Sequence, residues 1–203
     1  MSKTMTLLWG AGSPPCWRVM IVLEEKKLQG YKHKLLSFEK GEHKSKEVLE
    51  VNPRGQSQFK TQGIKLIPDN PTQQALVYQR MMEGLTLTEK LNSVIYYDWS
   101  VPEEERHESA VKRNREALTT ELRLWEGYLQ KVAAGSYLAG SFSMADVVIF
   151  PNVAYAFRFG LSVGRYPKLA KYYSLLKDRP SIKASRPPQW MASSQGYDIL
   201  KDL

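Results

Sequence analysis

A chain of 203 residues accommodates one ordinary domain or two small ones, and 42% hydrophobic with 25% charged residues is the composition of a packed globule, which excludes a disordered chain. Its 29 basic and 21 acidic residues give a net charge of +8, yet the basic residues are scattered apart from Lys112-Arg113-Asn114-Arg115. That cluster reads as a solvated helix face, since no aromatic platform or zinc spacing accompanies it; the charge therefore points to mild steering of small anions rather than to nucleic acid.

The first informative stretch is Met5-Thr6-Leu7-Leu8-Trp9, followed by Gly10-Ala11-Gly12-Ser13-Pro14-Pro15-Cys16-Trp17-Arg18. It reads as strand 5–9, sharp turn, then a helix over about 15–27. Glycines let the backbone bend, and prolines pre-set φ where a helix begins, so Ser13 and Cys16 are expected beside a helix N-terminus. Peptide N–H groups at such an end lack partners and favour an anion, which could be a thiolate, phosphate or carboxylate. No apolar leader follows Met1, and no uncharged apolar run reaches about 18 residues, so the expectation is a cytoplasmic protein without a membrane segment. Cys16 is the one cysteine, which excludes an internal disulfide, and His33, His43 and His107 lack metal-ligand spacing.

A second strand is predicted in Tyr31–Phe38 and a polar helical segment at 44–50. Asn52-Pro53-Arg54-Gly55-Gln56 is a turn signal, and residues 63–71 read as a linker. Beyond it the pattern is helical, with five or six helices over 72–203 that include segments near 72–97, 108–132 and 143–157. Tyr78, Met81, Met82, Leu85, Leu91 and Ile95 form one apolar stripe, and Val111, Leu118, Leu122, Trp125 and Leu129 a second; both read as core. Ser143-Met144-Ala145-Asp146 has the spacing of a capping box, with Phe142 and Val147 at the staple positions and an all-apolar Val147-Val148-Ile149-Phe150 behind it. This points to a buried helix with Asp146 in a structural role. Pro180, Pro187 and Pro188 interrupt the last stretch.

The segments Ser13-Pro14-Pro15-Cys16-Trp17-Arg18-Val19, Lys40-Gly41-Glu42-His43, Asn52-Pro53-Arg54-Gly55-Gln56 and Ser143-Met144-Ala145-Asp146, in this order, resemble cytosolic glutathione S-transferases, and the whole chain looks most like the rho class. The resemblance implies an α+β/α two-domain protein. A truncated thioredoxin-like glutathione-binding domain (1–62) and a linker (63–71) precede an all-α helical bundle (72–203), and the assembly is a homodimer. It places Ser13 where serine-type classes keep the hydroxyl that hydrogen-bonds the glutathione sulfur, as a donor rather than a base. A free thiol near pKa 8.5 is mostly protonated at neutral pH, and lowering it by about 2 units stabilises the thiolate by roughly 2.7 kcal/mol. His43 and Gln56 match positions that contact the glycyl and cysteinyl parts of glutathione. Met82, Tyr96, Tyr97 and Phe157 are expected to wall a pocket for hydrophobic electrophiles. Glutathione is a co-substrate, and no other cofactor is expected.

One family feature is missing. After the Asn-Pro-Arg-Gly-Gln turn the family has a cis-proline, a two-stranded hairpin and a helix whose Glu-Ser start binds the γ-glutamyl end of glutathione. Here Gln56 runs into Ser57-Gln58-Phe59-Lys60, which resembles the tail of that helix, so a block of roughly 20–25 residues is absent. The remaining parallel strands would have an open edge. Val19, Ile21, Val22 and Leu23 of the first helix would lose part of their cover, at about 1.5–3 kcal/mol for each exposed side chain. Two other functions compete with conjugation. A non-catalytic protein on the same fold would bind hydrophobic ligands or a partner. A thiol oxidoreductase would use Cys16, with glutathione in place of a resolving cysteine, whereas the bland reading of Cys16 is a small buried hydrophobe.

Overall fold

The computed structural model describes residues 5–51, 65–133, 136–188 and 198–203. The chain divides into two compact units, Met1–Ile64 with Arg179–Ser194, and Lys65–Asp178 with Gln195–Leu203. The turn at 52–56, including Gln56, and the join at Gln56–Ser57 lie outside the described residues.

In the first unit, β1 (Thr6–Gly10) leads into α1 (Pro14–Glu25), and β2 (Lys32–Leu36) follows. The strands are parallel, with Thr6 opposite Lys32 and Gly10 opposite Leu36. Gly12, at φ 79°, makes the turn between β1 and α1 in the left-handed region that L side chains avoid. A single-turn 3-10 segment, Glu42–Lys44, precedes α2 (Lys46–Val51).

Two expectations are corrected here. The apolar face of α1 is not uncovered: Val19, Ile21, Val22 and Leu23 are 0–4% exposed. Nor do residues 72–203 form one body, because α8 (Pro180–Ala184) belongs to the first unit and packs against α1. The physical reason is a set of side-chain bonds that no local pattern signals. The buried Trp17 donates from Nε1 to Ser185 Oγ at 3.0 Å, and Ser185 Oγ donates to the Ser181 carbonyl at 2.6 Å. Arg179 grips both carboxylate oxygens of Glu25, at 2.6 and 2.9 Å, and Ser181 Oγ donates to the same carboxylate. Helix α8 thus supplies part of the cover of α1.

The second unit contains five helices among the described residues: α3 (Pro71–Ile95), α4 (Tyr97–Ser100), α5 (Glu108–Lys131), α6 (Met144–Arg158) and α7 (Pro167–Leu176). Helix α3 packs on α5 and α6, and α7 on α5 and α6. Asn70 caps α3 by accepting from the Gln73 N–H at 3.1 Å. Gly84 lets α3 and α6 approach closely, since a Cβ there would lie 2.4 Å from Ile149 Cδ1. Leu118, Leu122, Trp125 and Leu129 of α5 are buried, as the second stripe predicts, while Val111 is exposed.

The first stripe splits. Leu91 and Ile95 are buried with Val77, Gly84 and Leu87, but Tyr78, Met82 and Leu85 are 49–59% exposed. Helix α3 carries two adjacent apolar rows at helical spacing, and periodicity alone does not say which one meets α5 and α6.

Helix α6 is buried nearly all round and begins with the expected capping box. Asp146 accepts from the Ser143 N–H at 2.9 Å and Ser143 Oγ at 3.1 Å, and also from the Leu138 N–H and the Tyr172 hydroxyl, both at 3.1 Å. Burial pushes its carboxyl pKa up, against the opposing pull of these hydrogen bonds. The residue is fully enclosed by the protein, which fits its structural role. No helix among the described residues is long and apolar enough to cross a membrane.

Candidate functional site

The described residues singled out in the first unit gather where both parallel strands end, the position at which parallel sheets commonly receive ligands. Ser13 is the N-cap of α1, and its Oγ accepts from the Cys16 N–H at 3.5 Å. The backbone donors at this end are fewer than the sequence suggested. Pro14 and Pro15 have no N–H, the Cys16 N–H is taken by the cap, and the Ser13 N–H bonds the Gly10 carbonyl at 3.4 Å. The expected free N–H groups are therefore absent from the first turn of α1. The Ser13 hydroxyl proton remains, because a hydroxyl that accepts one bond still has its own hydrogen to donate. The side chain is half-buried, and the cap fixes where its oxygen lies.

Cys16 lies deeper. It is 6% exposed, and its sulfur accepts from the Gly10 N–H at 3.4 Å, so it sits as a small core residue, and the accessible thiol that an oxidoreductase requires is not present. Arg18 follows on the same helix. Desolvation by burial brings its guanidinium pKa down to about 10, which leaves it charged at neutral pH.

The loop after β2 brings His43 to the same end of the sheet. Glu42 accepts from the Ser37 N–H at 2.8 Å, the Glu42 N–H bonds the Ser37 carbonyl at 3.0 Å, and Gly41 turns at φ 66°. Phe38 then links loop and strand. Its ring lies so close to Gly10 that a Cβ there would sit 2.1 Å from Phe38 Cζ, and it meets the His43 ring edge-on at 5.1 Å. His43 Nδ1 and the neighbouring strand's Trp9 Nε1 are buried with no hydrogen-bond partner. The sequence reading missed Phe38 and Glu42; the glycine at the end of β1, where a ring needs room, was the available signal.

The four residues expected to line an electrophile pocket have separate neighbours. Met82 is exposed on α3. Tyr96 shares a hydroxyl–hydroxyl hydrogen bond with Tyr155 of α6, and its ring lies 6.1 Å from the exposed Trp99. The Tyr97 hydroxyl accepts from the His107 N–H at 3.0 Å, and Phe157 packs on Tyr173 of α7 at 5.3 Å. Among the described residues no group of three His, Cys, Asp or Glu side chains could hold a metal ion.

Comparisons with known proteins agree on a family. Residues 87–185 match the family model for the glutathione S-transferase C-terminal domain. The chain is 63% identical to "Glutathione S-transferase A" of Pleuronectes platessa across the whole of both chains. Among solved structures, a glutathione S-transferase from the Antarctic clam Laternula elliptica superposes with a TM-score of 0.82 at 35% identity, covering 98% of this chain and 99% of that one. The glutathione transferase URE2P6 of Phanerochaete chrysosporium, in complex with oxidized glutathione, has the same fold, with a TM-score of 0.75 at 24% identity over 94% of this chain and 96% of that one. With this identity running end to end, the chain belongs to the glutathione S-transferase family.

Proposed function

We propose that this protein is a rho-class glutathione transferase, cytoplasmic and homodimeric, that conjugates the glutathione thiolate to hydrophobic electrophiles. The observation that carries the reading is Ser13 at the N-cap of α1, its oxygen held by the cap and its proton free to donate. The hydroxyl donates to the thiolate sulfur and lowers the thiol pKa, while the thiol proton leaves to solvent. The sulfur lone pair then attacks the electrophilic carbon and the leaving group departs with its bonding pair. Ser13 keeps its own proton throughout. His43, with its unpartnered Nδ1, and Gln56 contact the peptide part of glutathione. Met82, Tyr96, Tyr97 and Phe157 contribute to the electrophile site, with Met82 and Tyr96 among the exposed side chains.

The absent block after Gln56 belongs to the same reading. The alignment with the Pleuronectes platessa relative runs over 226 positions against the 203 residues of this chain, which leaves 23 positions without a residue here. That number fits a hairpin and most of a helix. Loss of the γ-glutamyl anchors removes two charge-assisted contacts at about 1.5–3 kcal/mol each, so glutathione affinity falls by roughly two to four orders of magnitude. This favours a second reading, a catalytically impaired isoform that binds hydrophobic ligands or a partner.

Calorimetric titration with glutathione and turnover of a chlorodinitrobenzene at high glutathione separate the alternatives. The expected result is millimolar or weaker binding with measurable turnover once glutathione is in excess. Micromolar binding refutes the loss of anchors. Absence of turnover at saturating glutathione refutes conjugation and leaves the non-catalytic reading.

A further inference from the structure

The two-stranded sheet of the first unit leaves backbone groups of β1 free along one edge. The Lys32 N–H bonds the Met5 carbonyl at 2.9 Å, and a parallel ladder uses every second residue of a strand, so Met5, Leu7 and Trp9 turn their peptide groups toward β2. Thr6, Leu8 and Gly10 turn theirs to the opposite edge, where no strand pairs with β1 among the described residues. Gly10 is already occupied: its N–H donates to Cys16 Sγ and its carbonyl accepts from the Ser13 N–H, both at 3.4 Å. Thr6 and Leu8 therefore present two N–H donors and two carbonyl acceptors in a row, the template on which another strand adds. The exposed Met5 and the half-buried Leu7 and Leu8 give an incoming strand apolar contact.

The charge of the chain is concentrated on this unit. Met1–Ile64 with Arg179–Ser194 holds 14 Lys and Arg against 6 Asp and Glu, a balance of +8, whereas the second unit holds 15 of each and is neutral. In register, Lys32 lies opposite Thr6 and Lys34 opposite Leu8. Both exposed lysines thus stand on the same sheet face as these two residues, one strand away from the free edge. Lys34 pairs with Glu47, while the ion pairs of the described residues do not use Lys32.

This pattern selects the occupant. A strand rich in carboxylates satisfies the backbone groups and the charge together. A second copy of β1 would set two units of like charge edge to edge, and a phosphodiester chain would bring charge but no donor for the Thr6 and Leu8 carbonyls. We propose that the free edge of β1 is a docking site for an extended acidic segment of another protein, which adds to the sheet as a third strand. The site is the backbone of Thr6 and Leu8 and does not use the Ser13 hydroxyl.

The test is fluorescence anisotropy of a dye-labelled, alternating glutamate–valine octapeptide titrated with the full chain at low salt. Saturable binding is expected, and raising the salt from about 50 to about 300 mM should weaken it at least about fivefold. The lysine–valine octapeptide, with the opposite charge, should bind at least about tenfold more weakly. The fully N-methylated glutamate–valine octapeptide keeps the charge but has no backbone donors, and it should show the same loss. Thr6→Pro/Leu8→Pro removes the two free N–H groups and spares those directed at β2, so it should weaken the octapeptide about tenfold or more. Should this variant fold poorly, the N-methylated peptide carries the same test on the wild-type chain. Absence of saturable binding, or equal binding of the N-methylated or the lysine peptide, overturns the proposal. Sedimentation that shows copies of the wild-type chain joined through this edge, and separated in the proline variant, overturns it as well.

Discussion

Ser13 has two separable jobs, and three substitutions pull them apart. As an acceptor, its oxygen caps α1 through a 3.5 Å contact with the Cys16 N–H, at the long end of hydrogen-bond lengths, so Ser13→Ala should cost about 0.5–1 kcal/mol of stability, the lower part of the range for an N-cap. As a donor to a thiolate its proton makes a bond to a charged group, about 1.5–3 kcal/mol, which corresponds to about 1–2 pKa units. Ser13→Thr keeps both functions. Ser13→Asp restores the cap, since a carboxylate oxygen accepts from the Cys16 N–H and suits a helix N-terminus, but it has no proton to give at neutral pH and sets a negative charge beside the sulfur. Urea unfolding should therefore rank Asp and Thr with wild type and Ala below. The ultraviolet thiolate titration of saturating glutathione should rank Thr with wild type, raise the apparent thiol pKa in Ala, and raise it in Asp also. If Ala titrates as wild type does, or if Asp regains the low thiol pKa together with stability, Ser13 does not donate to the sulfur and acts as a cap alone.

Removing the Ser185 hydroxyl with Ser185→Ala leaves Trp17 Nε1 buried without this partner, and the urea midpoint should report a loss of about 1–3 kcal/mol; an unchanged midpoint would mean that α8 contributes little to covering α1. The Glu25 carboxyl predicts a pH dependence. Burial raises its pKa, but the hydrogen bonds from Arg179 and Ser181 and the Arg179 charge outweigh this and hold it below its ordinary value of 4.5. A folded pKa below the unfolded one contributes stability that is fully present above the unfolded value and is lost as pH falls through the folded value. Wild type should therefore exceed Glu25→Gln in stability at neutral pH, and the gap should close as pH drops below about 4.5. A gap that stays constant through acid titration counts against the clasp.

Much of this protein is written in adjacent residues. Gly10-Ala11-Gly12-Ser13-Pro14-Pro15 dictates strand, turn and capped helix, because backbone freedom at Gly12 and fixed φ at the prolines are properties of those residues themselves. Ser143 and Asp146 likewise make their box within one helical turn. The helical second half follows from its periodicity, and α6 from an apolar composition on every side. Ser13 as the N-cap of α1 and Asp146 as a buried scaffold residue were therefore legible. The free N–H groups expected beside Ser13 were not found, although the two prolines that remove them stood in the same motif.

Other features depend on residues far apart in the chain. Trp17 finds Ser185 across 168 positions, and Glu25 finds Arg179 across 154, and these bonds assign α8 to the first unit and keep α1 covered. Phe38 lies over Gly10 and His43 only because β2 pairs in parallel with β1. Helix α3 has two apolar rows of similar quality, and the neighbours that pack on one of them leave Tyr78, Met82 and Leu85 outward. Local sequence determines the backbone conformation and which residues are apolar, because these depend on each residue and its near neighbours. Which apolar face is buried, and which buried polar atom meets a partner, is decided only when distant segments exclude water together, since that free energy belongs to the pair of surfaces and to neither segment alone.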